Sequence, residues 1–218
     1  MFMSATSLSE RITYPESDGK PMGETDQHVN EIADLLKMLK HYFKDRDAYV
    51  GANMLCYYEQ GEPSSCYCPD VFVVFNTHKT PRRTWKVWEE GKAQDVIFEI
   101  TSKKSRLEDQ GTKRVLYASL GVSEYFLFDP LQEYLKPPLQ GFMLQGENYV
   151  PIEPENDGSI QSRLLGLKIK VEEGVLRLFD LSGQKLLRPE EIAVQQEEMA
   201  KELKRLRDEV DRLKKRSE

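Results

Sequence analysis

Apolar residues recur along this chain with two periods. Ile32, Leu35, Leu36, Leu39 and Phe43 fall three and four apart, which predicts an amphipathic helix over residues 26–44. Shorter β-rich runs follow. Residues 48–58 read as one strand, 59–65 as a turn-rich loop, and 70–75 as a short strand behind Pro69. Residues 77–91 form a polar connection with two tryptophans, and 96–100 another apolar strand. Residues 107–120 read as a helix ended by Gly121, and 124–128 as a strand stopped by Asp129-Pro130. Beyond it, residues 134–149 and 165–179 suggest hairpins, the second around Glu172-Glu173-Gly174. This order of helix, strands, helix, strand and hairpins predicts a mixed β-sheet with flanking helices in the α/β class.

The last thirty residues differ in kind. Residues 189–218 contain no glycine, and more than half are charged. Ile192, Gln196, Met199, Leu203, Leu206, Val210 and Leu213 alternate spacings of four and three, the a/d seam of a heptad. Glu202 with Arg207, and Glu209 with Lys214, then occupy g and following e positions with opposite signs. Two readings stand: a homodimer through residues 192–213, or a lone helix solvated by its own charge pairs. The expected division is a domain over 1–188 and a heptad helix over 189–218.

With 218 residues the chain can bury a core without staples. No apolar stretch is long enough to span a bilayer, and the first fifteen residues lack the basic and apolar regions of a secretory signal, so a cytoplasmic protein is expected. Cys56, Cys66 and Cys68 are odd in number and wrongly spaced for a zinc knuckle, and are read as thiols. The net charge of −6 argues against coating nucleic acid by bulk electrostatics. It leaves room for an acidic pocket that holds a metal. Dinucleotide, phosphate-loop, zinc-protease and serine-hydrolase signatures are all absent.

Two carboxylates and a lysine remain. Asp70 opens one strand and Glu99 lies near the end of another. If the two strands pair antiparallel, both acids meet at one sheet edge, where mutual repulsion favours a divalent cation. By strand parity Asp95, Ile97, Glu99 and Thr101 share one face, and Val96, Phe98 and Ile100 the other. Asp109, Lys113, Leu116, Tyr117 and Leu120 form one helical stripe, which should face the sheet. Lys113 then either pairs with Asp109 alone or points at the Asp70/Glu99 pocket. Both readings are open at this point.

Several motifs carry a resemblance. They are Pro69-Asp70, then Glu99-Ile100-Thr101-Ser102, then Asp109, Lys113, Tyr117-Ala118, Leu120-Gly121-Val122 and Glu124-Tyr125, with the leader Asp18-Gly19-Lys20-Pro21-Met22 and the run from Tyr134 to Gly141. Over residues 14–188 the chain resembles the Uma-two family, cyanobacteria-rich endonucleases of the PD-(D/E)xK, restriction-endonuclease-like class. The resemblance implies a restriction-endonuclease-like fold and hydrolysis of DNA phosphodiesters with Mg²⁺ or Mn²⁺. It implies Asp70 and Glu99 as metal ligands, with the Ile100 carbonyl. Thr101 stands where the wider class has lysine. Within the family that lysine corresponds to Lys113, with Lys103 and Lys104 as solvated alternatives.

Asp109 would then orient Lys113. Ser102, Tyr117 and His28 are accessory candidates, each with a plainer reading as a cap, a core or a surface residue. Glu24 and Glu31 are read as accessory acids or as favourable charges at a helix start. Arg82, Arg83 and Lys86, with Lys92 and the tryptophans Trp85 and Trp88, are the candidate nucleic-acid contact, weighed against a solvated hairpin. The competing functional reading is a non-catalytic scaffold that keeps the nuclease fold and self-associates through its C-terminal helix.

Overall fold

A computed structural model describes residues 12–17, 19, 25–103 and 105–217. In chain order the elements are α1 (Asp26–Tyr42), β1 (Ala48–Ala52), β2 (Cys56–Tyr57), β3 (Cys66–Tyr67), β4 (Val71–Phe75), β5 (Trp85–Lys86), α2 (Val87–Glu90) and β6 (Val96–Ile100). These are followed by α3 (Arg106–Gln110), α4 (Thr112–Ser119), β7 (Glu124–Phe128), β8 (Leu139–Gln145), β9 (Asn148–Pro151), β10 (Ile160–Ser162), β11 (Leu167–Glu172), β12 (Val175–Asp180) and α5 (Pro189–Ser217).

The main sheet has six strands in the order β1-β4-β6-β7-β8-β9. Only β6 and β7 run parallel, so the sheet is mixed. The α3–α4 crossover between them is what a parallel pair requires. A three-stranded sheet β10-β11-β12 and a smaller one, β3-β2-β5, complete the fold.

Strand parity sorts the side chains into two layers. Val71, Val73, Val96, Phe98, Ile100, Phe126 and Phe128 pack against Leu35, Met38 and Leu39 of α1 and against Leu167, Ile169, Leu176 and Leu178 of the second sheet. Phe72, Val74, Ile97, Tyr125 and Leu127 pack on the other side against Tyr117 of α4 and against Trp85, Tyr67 and Cys56. Each such side chain, fully buried, contributes about 1.5–3 kcal/mol. Glu99 follows Ile97 by two residues and so lies on the α4 face, as the sequence parity predicts.

Three expectations are corrected. The strand expected over 48–58 is broken, because Asn53 takes a left-handed conformation (φ 47°) and its N–H is drawn to the Pro69 and Asp70 carbonyls. The first of the two hairpins begins at Leu139, not at Tyr134, because the Tyr134 and Leu135 N–H groups are taken by the Asp129 carboxylate. The single helix expected over 107–120 is two, α3 and α4, parted at Gly111. A β-carbon there would lie 2.9 Å from the Leu107 carbonyl oxygen, so the bend depends on glycine. Gly121, at φ 78°, ends α4 as expected. Among the described residues no helix is long and apolar enough to cross a membrane.

Candidate active site

The antiparallel register of β4 and β6 pairs Val71 with Phe98. Continued by one residue, it sets Asp70 opposite Glu99. The Ile100 N–H donates to Asp70 Oδ2 at 2.7 Å, which fixes that carboxylate at the strand edge. Asp70 is 17% exposed, so one acid of the pair still meets solvent. His28, buried in the first turn of α1, brings its Nε2 to 3.8 Å from Asp70 Oδ1. It does this because the Thr25 hydroxyl caps the helix by accepting the His28 N–H.

Glu99 is buried. Lys113 Nζ donates to its Oε2 at 3.0 Å, and the Tyr117 hydroxyl donates to its Oε1 at 2.6 Å. Lys113 also lies 2.9 Å from Asp109 Oδ1. The two readings of Lys113 therefore hold together: it pairs with Asp109 and reaches the Asp70/Glu99 pocket. The break at Gly111 lies between them, so α3 supplies Asp109 and α4 supplies Lys113 and Tyr117. The Tyr125 hydroxyl donates to the Asp109 carbonyl at 2.9 Å and ties α3 to β7.

Burial pushes the Glu99 carboxyl well above the usual range; Lys113 opposes this, and Asp70 and Asp109 add to it. Burial likewise raises Asp109 against the pull of Lys113. Burial alone would lower Lys113, but the carboxylates of Glu99, Asp109 and Asp70 outweigh it and hold the ammonium above the ordinary lysine value. The Tyr117 hydroxyl is raised by burial and by Glu99, so it stays a donor.

Glu99 and Asp109 thus share one ammonium, and Asp70 stands beside them without an ion pair to it, an arrangement with room for a further cation. Thr101 Oγ1 lies two residues beyond Glu99 on the same strand face, buried and without a hydrogen-bond partner among the described residues. No cluster of three or more His, Cys, Asp or Glu side chains among those residues could enclose a metal. Two carboxylates, Asp70 and Glu99, are a donor set of the kind that suits an ion which keeps several waters.

The other candidates are placed elsewhere. Ser102 shares its hydroxyl with Ser105 at 3.2 Å, at the start of α3. Arg82 is gripped by Glu90 and lies over the Tyr49 and Trp85 rings. Arg83 meets Glu16, Lys86 meets Glu89 and Lys92 meets Asp95, so the basic patch carries its own acids. Lys103 is exposed, while Lys104, Glu24 and most of the leader from Asp18 to Met22 lie outside the described residues.

The reading of Glu31 as a helix-start charge is corrected. It is buried and accepts both from Arg188 at 3.1 Å and from the Leu176 N–H at 3.2 Å. Arg188 also grips Asp34. Sequence reasoning missed this cluster, since its members are some 150 residues apart and share no motif. It missed too the bracing of Asp109 by Tyr125; the tyrosine's place on the α4 face was the only available signal.

Comparison with known proteins adds three findings. No curated protein matches the chain. Among solved structures it is similar to a putative nuclease belonging to DUF820 from Anabaena variabilis ATCC 29413, at 17% identity and a TM-score of 0.47, covering 67% of this chain and 76% of that one. A family model described as "Putative restriction endonuclease", Uma2, matches residues 8–174. Those residues include Asp70, Glu99, Asp109 and Lys113, and on that match the chain belongs to the Uma2 family.

Proposed function

We propose that this chain is a Mg²⁺- or Mn²⁺-dependent endonuclease, acting in the cytoplasm, that hydrolyses phosphodiester bonds of DNA. The observation that carries the reading is the position of Lys113. Its ammonium turns into the pocket that holds Glu99 rather than out to solvent. A non-catalytic scaffold has no need to desolvate an ammonium and two carboxylates there, because even a paired buried charge is costly to take out of water.

Asp70 and Glu99, with the Ile100 carbonyl, would hold the cation. Bound there, it would polarise the phosphate and lower the pKa of a coordinated water. Lys113 stays protonated, so it serves as a fixed positive donor and not as a base. It orients the attacking water or stabilises charge on the phosphate oxygens. Asp109 holds the lysine in place, and Tyr117 keeps the Glu99 carboxylate from turning.

The test is cleavage of supercoiled plasmid DNA with Mg²⁺ or Mn²⁺, set beside Lys113→Met and a chelator control. The expected result is nicked or linear DNA that needs the metal and is lost in the variant. Intact plasmid with both metals, or equal cleavage by the variant, overturns the reading.

A further inference from the structure

Helix α5 begins locked to the domain. The Arg188 guanidinium, one residue before it, is buried between Glu31 and Asp34 of α1. The Arg188 N–H donates to Glu191 Oε2 at 2.8 Å, and Glu191 also meets Arg177 at 3.1 Å and Lys185 at 3.0 Å. Ile192 is half-buried, and from there residues 193–215 are all exposed. At 1.5 Å per residue the helix runs about 35 Å beyond its anchor.

That exposed length carries a continuous apolar stripe. Met199, Leu203, Leu206, Val210 and Leu213 are between 47% and 65% exposed, and they repeat at alternating spacings of four and three. Leu203 and Val210 are a positions, and Met199, Leu206 and Leu213 are d positions. At the a position Val210, followed by Leu213 at d, the seam has the β-branched and leucine pair that favours two strands. Among the described residues the ion pair beside the stripe, Glu202 with Arg205 at 3.5 Å, joins two exposed side chains and leaves Met199, Leu203, Leu206 and Val210 exposed.

The flanking charges choose the partner and its direction. Glu202 and Glu209 are g positions; Arg207 and Lys214 are the following e positions. In a parallel pair each g faces the next e of the other strand, so every such contact joins an acid to a base. In an antiparallel pair g faces g and e faces e, which sets acid against acid and base against base. The helix is therefore complementary to itself in one direction only.

We propose that a second copy of this chain covers the stripe, forming a parallel two-stranded coiled coil over residues 199–213. Since each strand leaves a locked first turn, the coil holds two domains side by side at its amino-terminal end. This inference does not depend on the nuclease reading, and its readout is mass, not activity. The seam is little more than two heptads long, so pairing depends on protein concentration.

Sedimentation equilibrium of the full chain, from low to high micromolar, tests it. The mass is expected to rise from 25.3 kDa toward twice that value. Leu203→Glu with Leu206→Glu, both on the exposed face, should remain monomeric throughout. Glu202→Lys with Glu209→Lys should be monomeric alone, as should Arg207→Glu with Lys214→Glu, and a mixture of the two should restore the dimer. A wild type that stays monomeric, or a dimer that survives the leucine changes, overturns the proposal. Failure of the mixture to pair overturns the parallel arrangement.

Discussion

Lys113 and Glu99 meet across the space between α4 and β6, with Nζ 3.0 Å from Oε2 although 14 residues separate them in the chain. The ammonium is shared with Asp109. Lys113→Met therefore leaves two buried carboxylates without a counter-charge. Loss of one partner from a buried pair costs about 3–5 kcal/mol. Chemical denaturation at neutral pH should show that loss, and it should shrink in acid as Glu99 and Asp109 take up protons. Cleavage, where it can be measured, should fall about 10²–10³-fold.

Tyr117 holds the other oxygen of the same carboxylate. Tyr117→Phe keeps the ring in its layer and removes only the hydroxyl. Losing a hydrogen bond to a charged group costs about 1.5–3 kcal/mol. A misoriented ligand typically weakens cation affinity about 10–100-fold. Calorimetric titration of the variant with Mn²⁺ should show weaker binding with the fold intact. Unchanged affinity would mean that the hydroxyl only fills the core.

The Arg188 cluster makes a prediction about stability alone. Arg188→Ala strands Glu31 and Asp34 in a buried site. The expected cost is about 3–5 kcal/mol. It should also free the first turn of α5, so limited proteolysis should cut near residue 188 faster than in the wild type.

Glu31 gives a pH dependence with a definite sign. Burial raises its carboxyl above the usual value of 4.5, against the pull of Arg188. A raised folded-state pKa favours the protonated fold, so that contribution is full below pH 4.5 and is lost as pH rises through the raised value. Glu31→Gln keeps an acceptor for the Leu176 N–H and does not titrate. The variant should therefore gain stability relative to the wild type as pH is raised from about 4. A wild type that gains with pH instead would show that Arg188 outweighs burial.

Period and parity revealed much of this in advance. The α1 stripe, the β6 and β7 runs and the Gly121 stop depend on local pattern, and local pattern is visible in a sequence. The approach of Asp70 to Glu99 followed from one assumption, antiparallel pairing of their strands, which the register of β4 and β6 confirms. Lys113 was legible because helical spacing put it on the stripe that faces the sheet. The break at Gly111 was not, since a glycine within a helical pattern carries no sign of its angle. The closing of Arg188 on Glu31 and Asp34 arises only when distant segments fold together, and that of Glu90 on Arg82 depends on how the short connection between them turns. Charge counts along the chain could not show that the basic patch is already paired.

The proposed hydrolysis requires Asp70 and Glu99 to act together as a cation centre. Isothermal calorimetry with Mg²⁺ and Mn²⁺, on the wild type beside Asp70→Asn and Glu99→Gln, puts that requirement to the test. The expected result is binding by the wild type that either substitution abolishes. A wild type that binds neither ion, or binding indifferent to both changes, would mean that these two acids do not form a metal site.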